Sequence, residues 1–338
     1  MSEGLKVTVL GAAGGIGQPL SLLLTLSKLP IRHLSLYDIR LAPGVATDLS
    51  HITNVPKITG HVNPAEALEG TDVVVIVAGV PRKPGMTRDD LFSINAKIMQ
   101  GLIKNVAIYA KPTCCVCVVS NPVNSLVAVA VETLKQYTSS TDNSGWVENR
   151  VFGVTTLDNV RAETFSNNKD VIVIGGHAGK TIIPLLPNGT EVPNYEEFVH
   201  RVQFGGDEVV KAKDGKGSAT LSMSWAGFRF VSSVIKAKAG LLNGSTVSEN
   251  ELVPAFVNLK YNRGGKQLQN KLRSPKIEYF ACPIKLQNHT GFVDYIDSSC
   301  LRGIPAREEK LIVQALPQLK REIQKGKDFV AKTDNSKL

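Results

Sequence analysis

The sequence predicts an α/β fold, a parallel sheet covered by helices and then a second, mixed α/β domain. Three observations predict it. Short, continuous, valine-rich apolar runs at residues 73–78 and 114–119 suit strands buried on both faces. Helix-length stretches lie between such runs and make βαβ units. The composition changes near residue 150, after a loose polar stretch at 139–145. A chain of 338 residues is long enough for two domains. The expected division is 1–152, 153–330 and a polar tail, 331–338.

Each element has its own signal. Residues 5–10 form an apolar strand that ends at Gly11. Residues 18–29 have the apolar content and length of a helix, with Pro30 beyond the end. Residues 34–37 are the next strand. The run 91–109 carries apolar residues at helical spacing. In the second half, 171–174 and 182–186 read as strands, 196–211 and 218–239 as helices, and 276–286 with 292–296 as hairpin strands. Residues 307–329 form a charged terminal helix, with an interruption or kink expected at Pro317.

Composition excludes several classes. Hydrophobic residues make up 43% and charged residues 20%, which is globular usage and not disorder. No apolar run reaches the ~18–20 residues of a membrane helix. Net charge is +9; residues 1–150 hold 13 Lys/Arg against 11 Asp/Glu, and the remainder 26 against 19. The one dense basic patch, 260–276, contains a single aromatic, Tyr261, so it reads as a solvated face and not a nucleic-acid stripe. A positive field also attracts anionic substrates. Five cysteines, three of them within the apolar run 114–119, fit buried thiols better than disulfides or a metal site. No targeting segment is expected at the N-terminus, whereas the final Ser336-Lys337-Leu338 reads as an address for a peroxisomal import receptor, in peroxisomes or in glyoxysome- or glycosome-type organelles.

The motif with the clearest chemistry is Gly11-Ala12-Ala13-Gly14-Gly15-Ile16-Gly17, between a strand and a helix. Its glycines permit a tight turn, close approach of a pyrophosphate, and close helix–strand packing; the helix N-terminus favours the phosphates. Asp38 ends the next strand, 21 residues after Gly17. An acid there accepts ribose hydroxyls and repels a 2′-phosphate, which favours NAD over NADP. The basic loop Val80-Pro81-Arg82-Lys83-Pro84-Gly85-Met86-Thr87-Arg88 reads as a hinged lid for an anion. Asn121-Pro122-Val123-Asn124 follows a strand and can reach a ligand there. Asp158 and Arg161 share a face if that segment is helical. Of six histidines, His177 stands apart, among Gly175, Gly176 and Gly179, where an upstream carboxylate could orient it. Gly179-Lys180-Thr181 is not a phosphate loop, because Ile174 stands where that motif needs glycine.

Together these segments resemble the malate dehydrogenase family from Leu5 to about Phe329. Further matches are Asp89-Asp90-Leu91-Phe92, Thr156-Leu157-Asp158 and Gly217-Ser218-Ala219-Thr220-Leu221-Ser222-Met223. The resemblance implies a Rossmann-type parallel-sheet domain plus a mixed α/β substrate domain of the lactate/malate dehydrogenase type, NAD as cofactor, and a homodimer acting on malate and oxaloacetate. It implies His177 as proton acceptor with Asp158 its partner, and Arg161 as the grip on the carboxylate beside the reacting carbon. Arg82 and Arg88 become lid arginines on the distal carboxylate and carbonyl oxygen. Asn121 becomes a contact to substrate and nicotinamide, and Asn95, Val119 and Met223 become further cofactor contacts. Lactate dehydrogenase is the rival enzyme, and Arg82 decides against it; a non-catalytic Rossmann binding protein is the rival of another class. Only fifteen residues separate Arg161 from His177, fewer than the family usually carries, yet the matches on both sides imply that the pair survives.

Overall fold

The computed structural model describes residues 4–81, 86–138, 146–187, 190–242 and 252–335. Arg82, the stretch 139–145 and Ser336-Lys337-Leu338 lie outside the described residues, as does the side chain of Arg88.

Six strands run parallel: β1 (Leu5–Leu10), β2 (Ile31–Tyr37), β3 (Lys57–His61), β4 (Val73–Ile76), β5 (Cys115–Val118) and β6 (Val151–Gly153), in the spatial order β3-β2-β1-β4-β5-β6. Helices α1 (Gly17–Leu26), α2 (Ala42–Ser50), α3 (Pro64–Leu68), α4 (Arg88–Tyr109) and α5 (Val123–Gln136) form the crossovers. The runs at β4 and β5 are buried at every position, as two-sided coverage by helices requires. Register places the site: Leu10 pairs with Tyr37 and Ile76, and Ile76 with Val118. The turns leaving β1, β4 and β5 therefore open on one edge of the sheet, beside its reversal of strand order, where ligands of such sheets bind.

The same sheet continues antiparallel. β6 meets β9 (Val253–Asn258) at Gly153 and Phe256; β9 pairs with β10 (Tyr279–Leu286). β10 pairs with β11 (Val293–Ile296) and with β7 (Ile172–Gly175), and β7 with β8 (Ile182–Leu185). Around them lie α6 (Thr156–Ser166), α7 (Tyr195–Ala212), α8 (Leu221–Lys238), α9 (Gly265–Lys271) and α10 (Ala306–Asn335). One hydrophobic core spans both parts of the sheet, and a smaller one sits under α7.

Most expected elements stand within a few residues of their predicted limits. The interruption at Pro317 is absent: α10 runs through it. Proline removes one donor, but buried Ile312, Ala315, Leu319 and Ile323 on either side hold the helix to the core. Residues 42–50, 57–61, 64–68, 123–136 and 253–258 carry elements that the sequence reading leaves unassigned. β3 is a polar edge strand without alternation, whereas α5 carries apolar residues at helical spacing (Val123, Leu126, Val127, Ala130, Val131, Leu134) that the sequence reading did not use.

Candidate active site

A cavity of about 450 Å³ opens along the carboxyl ends of β1, β4 and β5 and runs to α6 and the β7–β8 turn. At one end lies the glycine turn. Gly11 has φ +94°, and a Cβ there would lie 2.5 Å from the backbone nitrogen of Ala78. A Cβ on Gly17 would lie 2.2 Å from the carbonyl oxygen of Gly11, so this pair is required by the fold itself. Gly14 differs. Its nearest neighbour for an added Cβ is the Gly11 oxygen, at an ordinary 3.4 Å, and it faces the cavity. No described protein atom excludes a side chain there, which fits a turn kept bare for a ligand. Ala12 is fully buried, and Ala13 donates its backbone N–H to Asp38 Oδ2 at 3.1 Å, tying the acid at the end of β2 to the turn. The start of α1 borders the same space; the Gln18 N–H is taken by the Gly14 carbonyl and Pro19 has none, so the backbone of Gly15–Gly17 is what an anionic phosphate would meet.

The middle is walled by Asn95, Val119, Ser120, Asn121 and Met223. Asn95 clamps Val80, just before residues 82–85, which lie outside the described residues: its Oδ1 accepts the Val80 N–H at 2.9 Å, and its Nδ2 donates to the carbonyls of Val80 and Asn121, at 3.2 and 2.8 Å. Ser120 Oγ donates to the Ala78 carbonyl at 2.6 Å and so joins the ends of β4 and β5. Thr87 caps α4 in a reciprocal pair with Asp90, which lowers the Asp90 carboxyl below its ordinary value through the Thr87 hydroxyl and amide. Lys325 of α10 pairs with Asp89 and sits over the Phe92 ring.

At the other end stands His177. Its Nδ1 is 2.6 Å from Asp158 Oδ2, and the Asp158 side chain is fully buried. A carboxylate can only accept, so the proton of a neutral His177 lies on Nδ1 and Nε2 is left as a free base. The histidine follows a turn that glycine makes possible. Gly175 has φ +101°, and a Cβ on Gly176 would lie 2.7 Å from both Asn124 Nδ2 and Thr181 Oγ1. Thr181, at the end of a short 3₁₀ turn that replaces the rejected phosphate loop, closes it by accepting the Gly176 N–H at its carbonyl. The short connector between α6 and β7 is accommodated because α6 ends at Ser166, with Asn167 in the left-handed region (φ +50°) turning the chain back.

Arg161, one turn along α6 from Asp158, also lines the cavity. Its guanidinium lies against Gly205 and Gly206 of α7 and forms no ion pair among the described residues. Burial lowers its proton affinity, opposed chiefly by the charge of Asp158. A half-buried cation without a counter-ion is costly, and an anionic ligand removes that cost.

The comparisons with known proteins concern the chain as a whole. Residues 5–153 match the family model of the lactate/malate dehydrogenase NAD binding domain, and residues 155–330 that of the lactate/malate dehydrogenase alpha/beta C-terminal domain. The chain belongs to the lactate/malate dehydrogenase family. It is 45% identical to a peroxisomal malate dehydrogenase of Saccharomyces cerevisiae over 99% of this chain and all of that one. It is 44% identical to a mitochondrial malate dehydrogenase of Rattus norvegicus, over 96% of this chain and 91% of that one. Among solved structures, the apo malate dehydrogenase of Picrophilus torridus superposes with a TM-score of 0.77, at 24% identity, over 97% of this chain and 99% of that one; it speaks to the fold.

In this family member the structure brings Gly11, Gly14, Gly15, Ile16, Gly17, Asn95, Val119, Asn121, Asp158, Arg161, His177 and Met223 to one cavity wall. Ala12, Ala13 and Asp38 stand just behind it. Arg82 and the Arg88 side chain lie outside the described residues. The sequence reading missed Ser120, Leu157, Gln203, Phe204 and Thr220, which also line the cavity. Ser120 could have been found as the residue between a buried strand and the Asn-Pro turn. Gln203 and Phe204 had no local signal, because only tertiary packing brings α7 over Arg161.

Proposed function

We propose that this chain catalyses the reversible, NAD-linked oxidation of malate to oxaloacetate, with His177 as the proton carrier. The observation that carries this reading is the 2.6 Å Asp158–His177 pair, set in one cavity with a bare glycine turn and an unpaired Arg161. The residues fit the cofactor: the glycine turn and α1 would hold its pyrophosphate, Asp38 its adenosine ribose, and Asn95, Val119, Asn121 and Met223 the nicotinamide half. Bound there, NAD supplies the hydride acceptor. His177 Nε2 takes the malate hydroxyl proton as the carbonyl forms, and Asp158 stabilises the imidazolium. Arg161 grips the carboxylate beside the reacting carbon in a planar, bidentate pair. Arg82 and Arg88 complete the clamp, on the distal carboxylate and the carbonyl oxygen. Oxaloacetate reduction runs the proton the other way and needs His177 protonated, so the two directions have different pH optima.

The deciding experiment measures NADH oxidation with oxaloacetate and with pyruvate side by side. Strong preference for oxaloacetate, reduced in Arg82→Gln, is the expected result. Preference for pyruvate, or an unchanged ratio of the two kcat/KM values in Arg82→Gln, overturns the assignment of Arg82.

Three further readings belong with it. The chain divides into a cofactor domain (1–152), a substrate domain (153–330) and a tail (331–338). Two copies form a homodimer. Leu22 and Leu26 on α1 and Leu221 and Trp225 on α8 are exposed on two helices that pack together, apolar surface suited to a second copy. Sedimentation at low micromolar concentration tests it, and a monomer refutes it. Peroxisomal placement rests on Ser336-Lys337-Leu338 and on the peroxisomal relative, although mitochondrial relatives are nearly as similar. Loss of organelle import on deleting Leu338 supports the address, and unchanged import refutes it.

A further inference from the structure

His177 is held at two points. The ring is fixed by Asp158; the backbone is fixed by Asn124, whose Oδ1 accepts the His177 N–H at 2.8 Å. Asn124 lies in the first turn of α5, is 1% exposed and faces away from the cavity lining. Its Nδ2 donates to Glu322 Oε2 at 2.7 Å and to Thr181 Oγ1 at 3.3 Å. Glu322 belongs to α10, 198 residues further on, and its other oxygen accepts from Gln318 Nε2 at 2.9 Å. Ser125 Oγ donates to the Glu322 carbonyl at 2.7 Å, which locks that turn of α10 onto α5.

The direction of the Asn124 amide matters. A side-chain amide has one end that only accepts and one that only donates. The carboxylate of Glu322 can only accept, so it turns Nδ2 toward itself and leaves Oδ1 for the His177 N–H. Without that acceptor Nδ2 keeps only the longer contact to Thr181 Oγ1, at 3.3 Å, and the amide is held less firmly; wherever it rotates, a donor faces a donor across 2.8 Å. The backbone of His177 must shift to escape, and the imidazole moves with it.

We propose that Glu322, acting through Asn124, is a positioning residue for proton transfer: the C-terminal helix sets the backbone of the histidine that carries the proton. This rests on the reading of His177 as proton carrier. Neither Asn124 nor Glu322 touches the cavity, so their effect falls on the chemical step and not on binding. A displacement of about 1 Å at a reacting group can cost ~10²-fold in rate, so a fraction of that at His177 is expected to be measurable.

The test uses the full chain with two substitutions at one position. Glu322→Gln keeps an acceptor at the same reach; Glu322→Asp keeps the charge but withdraws it by one methylene. For Glu322→Asp the expected result is a ~10-fold lower kcat, with the oxaloacetate KM within about twofold, unchanged NADH affinity by fluorescence titration and a nearly unchanged Tm. Glu322→Gln is expected to restore most of the rate. Wild-type kcat in Glu322→Asp overturns the inference. So does a Glu322→Gln variant as slow as Glu322→Asp, or a loss that follows NADH affinity or Tm. His177→Asn, measured in parallel, separates the two readings. If it keeps turnover, the proton-carrier reading fails. If it is dead while Glu322→Asp is normal, only the positioning inference fails.

Discussion

The molecule uses two glycine turns for opposite purposes. At Gly11–Gly17, Gly11 and Gly17 let the backbone pack, and on the proposed reading Gly14 leaves it bare to face a ligand. At Gly175–Gly179 the glycines remove side chains so that one side chain, His177, can be held from several directions. The first turn is built mainly from main chain: Gly11 against the Ala78 backbone, Gly17 against Gly11, and Asp38 accepting the Ala13 N–H. The second is built from Asp158 on α6, Asn124 on α5, Thr181 beyond the turn and Glu322 on α10. The first turn depends on how backbone packs, whereas on the proposed reading the second is a proton-transfer station whose side chains depend on distant elements being in place.

The sharpest way to break this contrast is to remove the station. His177→Ala is expected to lower kcat by ~10²–10⁴-fold with NADH affinity intact, measured by steady-state rates and fluorescence titration. Loss of NADH binding in that variant would show the two ends of the cavity to be one unit. Arg161→Gln should lower kcat/KM for oxaloacetate by ~10²-fold, in line with a charge-assisted bidentate contact. It should do so without destabilising the fold, because the guanidinium has no protein counter-ion among the described residues.

The glycine turn gives a finer contrast within itself. Gly17→Ala places a methyl 2.2 Å from the Gly11 oxygen and should cost about 1–3 kcal/mol of stability, read as a lower Tm. Gly14→Ala has room and should leave Tm nearly unchanged while weakening NADH binding ~10-fold or more, because the space it fills is the ligand's. Equal effects of the two on Tm would refute the distinction.

The smallest effect lies far from both turns. His33, half-buried on β2, is held at a pKa of about 4, first by burial and then by the charges of Lys6 and Lys57. Its unfolded value is about 6.5, so the unfolded chain binds the extra proton between pH 6.5 and 4. Stability is therefore full above pH 6.5 and declines as pH falls toward 4. His33→Asn should flatten that part of a Tm-against-pH curve and leave turnover at neutral pH unchanged.

The contrast also explains what was legible in the sequence. The glycine turn with Asp38, and the valine-rich strands that frame it, are local patterns, and all of them stand where the pattern places them. The Asp158–His177 pair could be anticipated only because each residue sits in its own recognisable segment. Gln203 and Phe204 over Arg161, and Glu322 behind Asn124, leave no mark in spacing: helical register says which face a residue is on, not which element that face meets. The continuous helix through Pro317 is the same lesson from the other side, since tertiary burial outweighed a strong local breaker.

Helix α10 has a consequence for biosynthesis. It emerges from the ribosome after every other described element, yet it packs on α5, a central helix of the parallel part of the sheet. Translation adds ~5–20 residues per second, so for seconds the nascent chain holds a nearly finished sheet with one flank of α5 uncovered. During that interval the first half has its phosphate turn but lacks the helix that closes its core. Docking of α10, and not completion of the parallel strands, is then the event that covers α5.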